Sequence, residues 1–428
     1  MTITGPAAGH DRLKTSADAT GTKVLGMINN CGGGSTPWGT VLTAEENFHQ
    51  YFGGDPAGTA EEKNYKRYGI KGSPSYPWGK FVDRFDVTKE LNEPNRFGWI
   101  VEINPYDPTS TPVKHTALGR FKHEAATTVV NPDNRLVVYT GDDEVFEYVY
   151  KYVSNGTFDP AAGTANSALL NDGTLFVAKF AEDGSVEWLP LVHGQGELTA
   201  ANGFNSQADI LIETRRAADL LGATKMDRPE DVETDPVSGK VYVVLTKNNK
   251  RKADQVDAMN ARAENLWGHI IELTPPSGDH AATKFAWDIF LQAGDPKDAA
   301  QGAKYGGEVS DSGWFANPDN IAFDPKGRLW IATDGFPDHG VHDGVWAADT
   351  DGAGRAITKH FLGCPQGAEL CGPAFTPDGQ TFFVAVQHPS EDGSFDAPTT
   401  RWPDFADNMP PRPSVVAIVK KGGGEVGA

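Results

Sequence analysis

The amino-acid sequence predicts an all-β fold, a β-propeller of about six blades with short helical insertions. Glycine (48 residues) and proline (29 residues) are abundant in the 428-residue chain. Long apolar patterns with helical spacing are scarce, which favours many short strands joined by turns. The third observation is an imperfect internal repeat, typical of folds that are built from similar units. Because no linker of changed composition divides the chain, we expect one domain over residues 1–428 rather than an array of β-sandwiches.

The repeat consists of a short, partly alternating run, a turn with Pro and Asp, Asn or Gly, and a strand rich in β-branched and aromatic residues. It occurs at residues 124–141 (EAATTVVNPDNRLVVYTG), 230–246 (EDVETDPVSGKVYVVLT), 319–334 (DNIAFDPKGRLWIATD) and 371–387 (CGPAFTPDGQTFFVAVQ). Further strand-like runs lie between the repeats, at residues 98–104, 174–180, 185–191 and 268–274. We expect antiparallel strand pairs within blades. Three other segments have helical or irregular character and are expected to decorate one face, namely residues 51–67, 205–221 and 253–264.

The charge balance argues against a partner that is itself strongly anionic. The chain has 58 acidic and 38 basic residues, a net charge of −20, and no run rich in Lys and Arg. Such a chain repels nucleic acid and anionic membranes. No apolar stretch approaches the roughly 20 residues that a membrane span needs. Residues 1–14 are polar and lack the apolar segment of a signal peptide, which fits a cytosolic protein, a removed signal or a truncated start.

The three cysteines suggest different roles. Cys364 and Cys371 lie close together in a loop that contains Pro and Gly, and they could pair in an oxidising compartment. Cys31 would then be the odd cysteine. It is either a small buried apolar residue or a metal ligand or reactive thiol.

A carboxylate recurs at one position of the repeat. Glu230 and Asp319 both lie six residues before the turn proline, and Glu124 lies eight residues before its own turn proline. The two extra residues preserve the side-chain face, because strands have a period of two. The first strand of a propeller blade lines the axial channel, so these carboxylates are expected to converge there. Like charges at the axis are costly unless cations or protons neutralise them. Each carboxylate could instead simply begin a turn, and in the fourth repeat the matching residue is Cys371.

A second set of donors lies near the start of the chain, in the segment NNCGGGSTPWGTVLTAEEN (residues 29–47). Its glycines allow the backbone to approach a ligand closely. Oxygen donors suit calcium, whereas a thiolate suits iron or zinc, so a site that combines them would favour a mixed cluster. The donors in question are Asn30, Cys31, Glu45 and Glu46.

Arg228 stands two residues before Glu230 and therefore shares its face. Its guanidinium could hold phosphate oxygens in a bidentate manner, although a lone arginine is more often a surface residue or an ion-pair partner. Asp334 ends one repeat and Glu308 precedes another within a glycine-rich segment. Each either binds calcium or solvates a loop.

Taken together, these residues resemble the PhoX-type alkaline phosphatases, a family of exported bacterial enzymes. The similar stretches run in order through most of the chain: residues 29–47, FKHE (121–124), YTGDDEVFEYVYK (139–151), RPED (228–231), NPDNIAFDPKGRLWIATDG (317–335) and CGPAFTPDGQTFFVAVQHP (371–389). The resemblance implies a six-bladed propeller that carries two ferric ions and several calcium ions in its axial channel.

Carried over residue by residue, the resemblance gives each candidate a role. It makes Cys31 the thiolate ligand of iron, Glu124 and Glu230 iron or bridging carboxylates, and Asp319 a cluster carboxylate. Arg228 would hold the substrate phosphate, so the expected catalytic residues are Arg228, Cys31 and Glu230. The calcium ligands would come from a wider set, comprising Asn30, Glu45, Glu46, Asp142, Asp143, Glu308 and Asp334.

The function that the resemblance implies is hydrolysis of small phosphate monoesters with release of inorganic phosphate. It further implies a periplasmic or extracellular monomer that serves phosphate acquisition and binds no nucleic acid. Family members generally carry an additional N-terminal region with an export signal, so we expect this chain to be a truncated or partial form. Two alternatives stay open: a calcium-dependent lactonase or esterase on a similar propeller, and a non-catalytic binding propeller that calcium stabilises.

Overall fold

The computed structural model describes residues 1–335 and 341–428. In this part of the chain the protein is mostly β and forms two compact units. Unit 1 comprises Met1–Ala181, Ser185–Lys225 and Pro276–Phe285, and unit 2 comprises Glu182–Gly184, Met226–Pro275 and Ala286–Ala428. No helix within the described ranges is long and apolar enough to cross a membrane.

Unit 1 contains two sheets of five strands. Its strands are β1 (Thr2–Thr4), β2 (Asn30–Ser35), β3 (Val41–Glu45), β4 (Ile100–Ile103), β5 (Val113–His115), β6 (Thr127–Val130), β7 (Arg135–Gly141), β8 (Val149–Thr157), β9 (Gly173–Phe180) and β10 (Ser185–Pro190). The first sheet has the order β1-β5-β4-β3-β2, and the second has the order β10-β9-β8-β7-β6. All neighbours within these two sheets are antiparallel except β1 and β5.

Unit 2 contains three antiparallel sheets, in the orders β11-β12-β13-β14, β15-β16-β17-β18 and β19-β20-β21. The strands are β11 (Pro229–Thr234), β12 (Val241–Leu245), β13 (His269–Thr274), β14 (Lys284–Gln292, whose first two residues count with unit 1), β15 (Pro318–Phe323), β16 (Leu329–Thr333), β17 (Gly344–Ala348), β18 (Lys359–Gly363), β19 (Glu369–Phe375), β20 (Thr381–Gln387) and β21 (Ser414–Val419).

The helices are few and short. The α-helices are α1 (Glu62–Arg67), α2 (Gln207–Ile212) and α3 (Thr214–Leu221). Single 3-10 turns are found at Asp11–Leu13, Phe48–Tyr51, Trp78–Lys80, Asp83–Phe85, Glu93–Arg96, Thr116–Leu118, Ala200–Asn202, Ala253–Gln255, Pro276–Gly278, Ala299–Gln301 and Gly352–Gly354. A longer 3-10 segment, Pro160–Leu170, is interrupted at Gly163. Of the predicted helical segments, residues 205–221 are confirmed. Residues 51–67 are helical only in their last six residues, and residues 253–264 contain one turn, because the Asp257 side chain binds the Asn260 amide locally and competes with a helix.

All four predicted repeats are confirmed as antiparallel pairs, β6 with β7, β11 with β12, β15 with β16 and β19 with β20. The four intervening runs are confirmed as β4, β9, β10 and β13. A fifth pair of the same kind, β2 with β3, was not recognised as a repeat. Its strand β2 is mostly glycine, so the apolar alternation on which the repeat was recognised is missing there.

The first strand of each of these five pairs is interrupted at the same point. Pairing shifts by one residue between Asn30 and Gly33 in β2, and at the corresponding places in β11, β15 and β19. In the remaining pair the bridge between His123 and Asp142 and the pairing of Thr127 with Tyr139 show the same one-residue shift. Such bulges re-aim side chains and are common beside active sites.

The glycines of β2 are required by close backbone contacts. A Cβ atom on Gly33 would lie 2.0 Å from the Leu42 carbonyl oxygen, and one on Gly34 would lie 2.2 Å from the Ala126 carbonyl oxygen. The Ala126 amide donates to the Gly33 carbonyl over 3.2 Å, which ties β2 to the segment that leads into β6. The glycine run therefore brings the chain around Cys31 against the chain around Glu124.

We expect Gly34→Ala to lower the free energy of unfolding by about 1–3 kcal/mol, because backbone atoms on both sides must move to admit the methyl group. Urea denaturation measures the change. Gly363→Ala is the matched control, because a Cβ there would meet no atom closer than 3.9 Å. Equal stability of the two variants would show that β2 can move away from Ala126 without cost.

Candidate metal centres

The bulges give four chemically active side chains the same place in four sheets. Cys31, Glu124, Glu230 and Asp319 each follow directly the residue at which the register shifts. The equivalence of Glu124, Glu230 and Asp319, which the spacing to the turn prolines predicts, is therefore confirmed. In the fifth sheet the shift follows Cys371, so the equivalent residue is Gly372 and the predicted match to Cys371 is one residue off.

A second position recurs just after the second strand of the pair. The carbonyl oxygen two residues before each active side chain accepts a backbone hydrogen bond from this position. The donor and acceptor pairs are Glu46 to Asn29 (3.0 Å), Asp143 to Lys122 (2.9 Å), Thr246 to Arg228 (3.2 Å) and Asp334 to Asn317 (3.2 Å). Glu46, Asp143 and Asp334 thus occupy equivalent sites, and a carboxylate stands there in three of the four sheets.

In unit 1 the two positions contribute to one cluster. Cys31, Glu46 and Glu124 each present a ligand atom, and these atoms lie within 4.8 Å of one another; we call this set the thiol cluster. The Cys31 sulfur lies 3.0 Å from Oε1 of Glu124. Gly32 makes this approach possible, since a Cβ there would lie 2.6 Å from the Glu124 carbonyl oxygen. Both glutamates are buried, whereas Cys31 is exposed, so the cluster opens to solvent on its sulfur side.

In unit 2 a second cluster has the same construction. Asp319, Asp334 and Glu369 present carboxylate oxygens within 4.8 Å of one another; we call this set the carboxylate cluster. As in the thiol cluster, one ligand comes from the bulge, one follows the second strand, and one belongs to the next sheet along the chain. Asp319 and Glu369 are buried and Asp334 is partly exposed. Buried like charges at this separation are costly without a cation, and an all-oxygen set suits calcium.

Glu369 was not among the predicted ligands, although a signal for it exists. It lies eight residues before Pro377, the same spacing that separates Glu124 from Pro132. Cys371 lies six residues before the same proline, at the spacing of Glu230 and Asp319. Gln387 donates to Glu369 from the paired strand, and His388 Nε2 lies 3.6 Å from its Oε2, so the side chain is held at the end of β19.

The Arg228 side chain contacts two of the candidate ligands in unit 2, Glu230 and Asp334. Its Nε is 3.1 Å from Oε1 of Glu230, and its Nη1 is 4.0 Å from Oδ2 of Asp334. The side chain is 24% exposed, so the guanidinium retains access to solvent and to a ligand. Its backbone φ of 61° is unusual for a residue other than glycine. Asn29 (49°) and Asn317 (51°) share this conformation two residues before Cys31 and Asp319, so it belongs to the bulge itself.

Glu230 and Asp319 lie in β11 and β15, the first strands of two different sheets of unit 2. The side chain of Asp231, next to Glu230, accepts the Ile321 amide in β15 over 3.0 Å and also the Val232 amide over 2.8 Å. Burial raises the pKa of Asp231 to about 7. These hydrogen bonds fix the position of β11 against β15 and therefore hold the two predicted ligands next to each other.

Three predicted calcium ligands are placed differently. Glu45 is fully buried and accepts hydrogen bonds from the Lys114 ammonium (2.7 Å) and from the Ile28, Gly98 and Trp99 amides, so its oxygens are already engaged. Burial raises the pKa of Glu45, and the ion pair with Lys114 opposes that rise. The Asn30 amide donates to Thr43, and Glu308 is exposed and joins neither cluster. Of the adjacent glutamates, Glu46 is the one that reaches Cys31.

The neighbouring polar residues serve the structure. His123 uses both ring nitrogens, toward the Thr140 hydroxyl (3.0 Å) and the Gly119 carbonyl (2.9 Å), and burial lowers its pKa to about 3. Asp142 accepts from the buried Arg215 guanidinium (Nε to Oδ2, 2.8 Å), which accounts for one predicted calcium ligand. No disulfide joins Cys364 to Cys371. Within the described part of each unit, the thiol cluster and the carboxylate cluster are groups whose ligand atoms lie close enough together to share a metal ion.

Comparison with known proteins gives one strong similarity. Residues 1–390 match the family described as Alkaline phosphatase PhoX. The chain is 43% identical to Pseudomonas fluorescens PhoX in complex with vanadate, a transition state analogue, with a TM-score of 0.94 over 100% of this chain and 76% of that chain. The periplasmic gluconolactonase PpgL of Pseudomonas aeruginosa is far less similar, with 13% identity and a TM-score of 0.26 over 67% of this chain and 71% of that chain. No curated protein matches the chain.

Proposed function

The chain belongs to the PhoX family of alkaline phosphatases, and from that premise we propose that its thiol and carboxylate clusters hold the cations with which it works. The protein hydrolyses phosphate monoesters and releases inorganic phosphate. The observation that carries the metal assignment is that each cluster takes one ligand from the bulge, Cys31 or Asp319, and one from the position just after the second strand, Glu46 or Asp334. The likeness to a complex with vanadate, a mimic of phosphoryl transfer, supports the same conclusion.

The two clusters differ in donor chemistry, and we assign them different metals. The thiol cluster combines a sulfur with two buried carboxylates, a set that suits iron, with Cys31 as the thiolate ligand. The carboxylate cluster offers only oxygen, a set that suits calcium. Asp319 and Asp334 retain their expected roles here, and Glu369 joins them. Glu230 is the remaining predicted ligand, and we assign it the role of an iron or bridging carboxylate. The proposed cofactors are therefore ferric iron, two ions by family resemblance, and several calcium ions.

The residues around the clusters position the substrate. Arg228 donates to non-bridging phosphate oxygens. Its ion pair with Glu230 holds the guanidinium next to a proposed metal ligand. Asp334, within 4.0 Å of Arg228, links that guanidinium to the carboxylate cluster. Bound cations would polarise the phosphoryl group and activate water for attack. Cys31, Glu124 and Glu230 would act as anionic ligands of the cations and form no bond to phosphorus.

The wider assembly is also a proposal. We propose that the sheets are blades of one β-propeller of about six blades, a single domain over residues 1–428, with the equivalent side chains facing its axial channel. The repeat of bulge and ligand in successive sheets supports this arrangement. By family resemblance we further propose a monomeric protein of the periplasm or the extracellular space that acts on small phosphate esters.

Removal and return of metal tests this proposal. We expect the purified protein to release p-nitrophenol from p-nitrophenyl phosphate, to lose that activity after prolonged chelation, and to regain it when calcium and iron are returned. A zinc-only or magnesium-only addition serves as the control and is expected to fail, since neither ion matches both donor sets. Full activity in protein that elemental analysis shows to be metal-free would contradict the proposal. Activity on lactones with calcium alone would favour the lactonase instead.

A further inference from the structure

The insertion between β3 and β4 exposes aromatic side chains. Tyr76 and Trp78 are each 43% exposed, and Phe81 is 83% exposed. Single exposed apolar residues are normal. A group of aromatic rings that are partly exposed to solvent is instead typical of binding surfaces.

The rings around Tyr51 form a fixed platform. The Tyr51 ring lies 4.8 Å from the Tyr76 ring, with the two planes inclined by 35°, and 4.7 Å from the Trp78 ring in an edge-on arrangement. Trp78 packs in turn on the buried ring of Phe85, at 5.1 Å. The Tyr76 amide donates to the Gln50 carbonyl over 3.0 Å. We call Tyr51, Tyr76 and Trp78 the aromatic platform. Contacts with Phe85 and with the Gln50 backbone hold it in place, while part of the Tyr76 and Trp78 surface is exposed to solvent.

A single residue connects the aromatic platform to the thiol cluster. The Asn29 amide donates to the Tyr51 hydroxyl over 3.3 Å, and its side-chain oxygen accepts the Asn47 amide over 2.9 Å. The Asn29 carbonyl accepts the amide of Glu46, a member of the cluster. Asn29 stands two residues before Cys31, so the chain between them spans at most about 7 Å. The platform is therefore joined, through Tyr51 and Asn29, to the segments that carry Cys31 and Glu46.

The direction of the strands places the platform at the ligand end of the sheet. The insertion begins with Glu46, directly after the end of β3, and returns at Ile100, the first residue of β4. Tyr106 follows the other end of β4, where Ile103 pairs with Val41 at the start of β3. Tyr106 is 85% exposed but lies at the end of these strands that carries no ligand. Tyr106 and the platform are thus both exposed, but they lie at opposite ends of these strands, and the platform is at the end that leads into Glu46.

We propose that the aromatic platform is the subsite for the leaving group of the ester, and that it binds a planar aromatic group, the ring of an aryl phosphate or the base of a nucleoside monophosphate. This inference rests on the proposed function, since it needs the phosphate at the neighbouring cations. Stacking on an aromatic face accepts any planar ring and requires no specific hydrogen bond. A small aliphatic ester places nothing on the platform.

Three substrates and three variants test the subsite. In Trp78→Ala we expect the KM for adenosine 5′-monophosphate and for phenyl phosphate to rise about tenfold with kcat unchanged, the loss of one stacking contact. The KM for glycerol 2-phosphate is expected to stay within about twofold, because that ester has no ring to stack. Trp78→Phe keeps an aromatic face and is expected to retain most of the affinity. Tyr106→Ala is the matched control and is expected to change no KM.

The outcomes separate this inference from the proposed function. Hydrolysis of glycerol 2-phosphate by the wild type and by Trp78→Ala supports the phosphatase whatever becomes of the subsite. A rise in KM for one aromatic ester alone identifies the leaving group as nucleoside or aryl and supports the platform. Unchanged KM for both aromatic esters overturns it. An equal rise for all three esters, or the same rise in Tyr106→Ala, also overturns it, because the change would then not depend on the ring.

Discussion

Replacing Cys31 with serine is expected to remove iron from the protein and to lower kcat for a phosphate monoester by about 10²–10³-fold. The serine hydroxyl keeps the size of the side chain but does not ionise at neutral pH, so the soft anionic donor beside Glu124 is lost. Glu46 and Glu124 then face each other as buried carboxylates with a weaker cation or none. Calcium is expected to stay bound, because the carboxylate cluster uses no sulfur. Steady-state kinetics and elemental analysis of the same preparation measure both effects.

Cys364→Ser is the control for this experiment. Cys364 is a partly buried thiol whose amide donates to the Asp343 carbonyl over 2.8 Å, and burial raises the pKa of the thiol well above its usual value. Cys364 belongs to neither cluster, so we expect wild-type iron content and activity. Retention of iron and full kcat by Cys31→Ser would show that the thiol cluster is not the iron site.

Replacing Glu369 with glutamine is expected to raise the calcium concentration for half-maximal activity by about 10–100-fold, because the carboxylate cluster loses one of three charged ligands. Iron is expected to remain, since Glu369 lies in the cluster without sulfur. Titration of metal-depleted protein with calcium measures the shift. Glu369→Gln is therefore expected to weaken calcium binding and keep iron, whereas Cys31→Ser is expected to lose iron and keep calcium.

Glu308→Gln makes the same chemical change at an exposed carboxylate outside both clusters. It is expected to leave the calcium titration unchanged. If Glu369→Gln titrated like the wild type, Glu369 would belong to the hydrogen-bond pattern of Gln387 and not to a calcium site.

The sequence predicted the repeat and the equivalent carboxylates well, because both depend on local spacing. The count from Glu124, Glu230 and Asp319 to the turn prolines is a property of one strand and its turn, and the strand pairs place these residues equivalently. The same count would have found Glu369, eight residues before Pro377. The same count also holds for Cys31, which lies six residues before Pro37 in the turn between β2 and β3, but the glycine-rich strand β2 lacks the apolar alternation that marks the other repeats.

Contacts that depend on distant partners could not be predicted from local spacing. Nothing local distinguishes Glu45 from Glu46. The distinction comes from Lys114, 69 residues further along the chain, whose ammonium is buried against Glu45. The glycine run around Cys31 predicts a close approach of the backbone to a ligand. In the structure, the missing side chains of Gly33 and Gly34 also allow the carbonyl groups of Leu42 and Ala126 to pack against β2. Long-range packing of this kind leaves no periodic trace in the sequence.

The most direct measurement is the iron and calcium content of the wild type, Cys31→Ser and Glu369→Gln, determined side by side by plasma mass spectrometry. If side chains at matched places in successive sheets hold the cations, the wild type contains both metals, the first variant lacks iron alone, and the second has lost calcium alone. Identical metal content in all three proteins would contradict the account, because neither cluster would then be a place where metal binds.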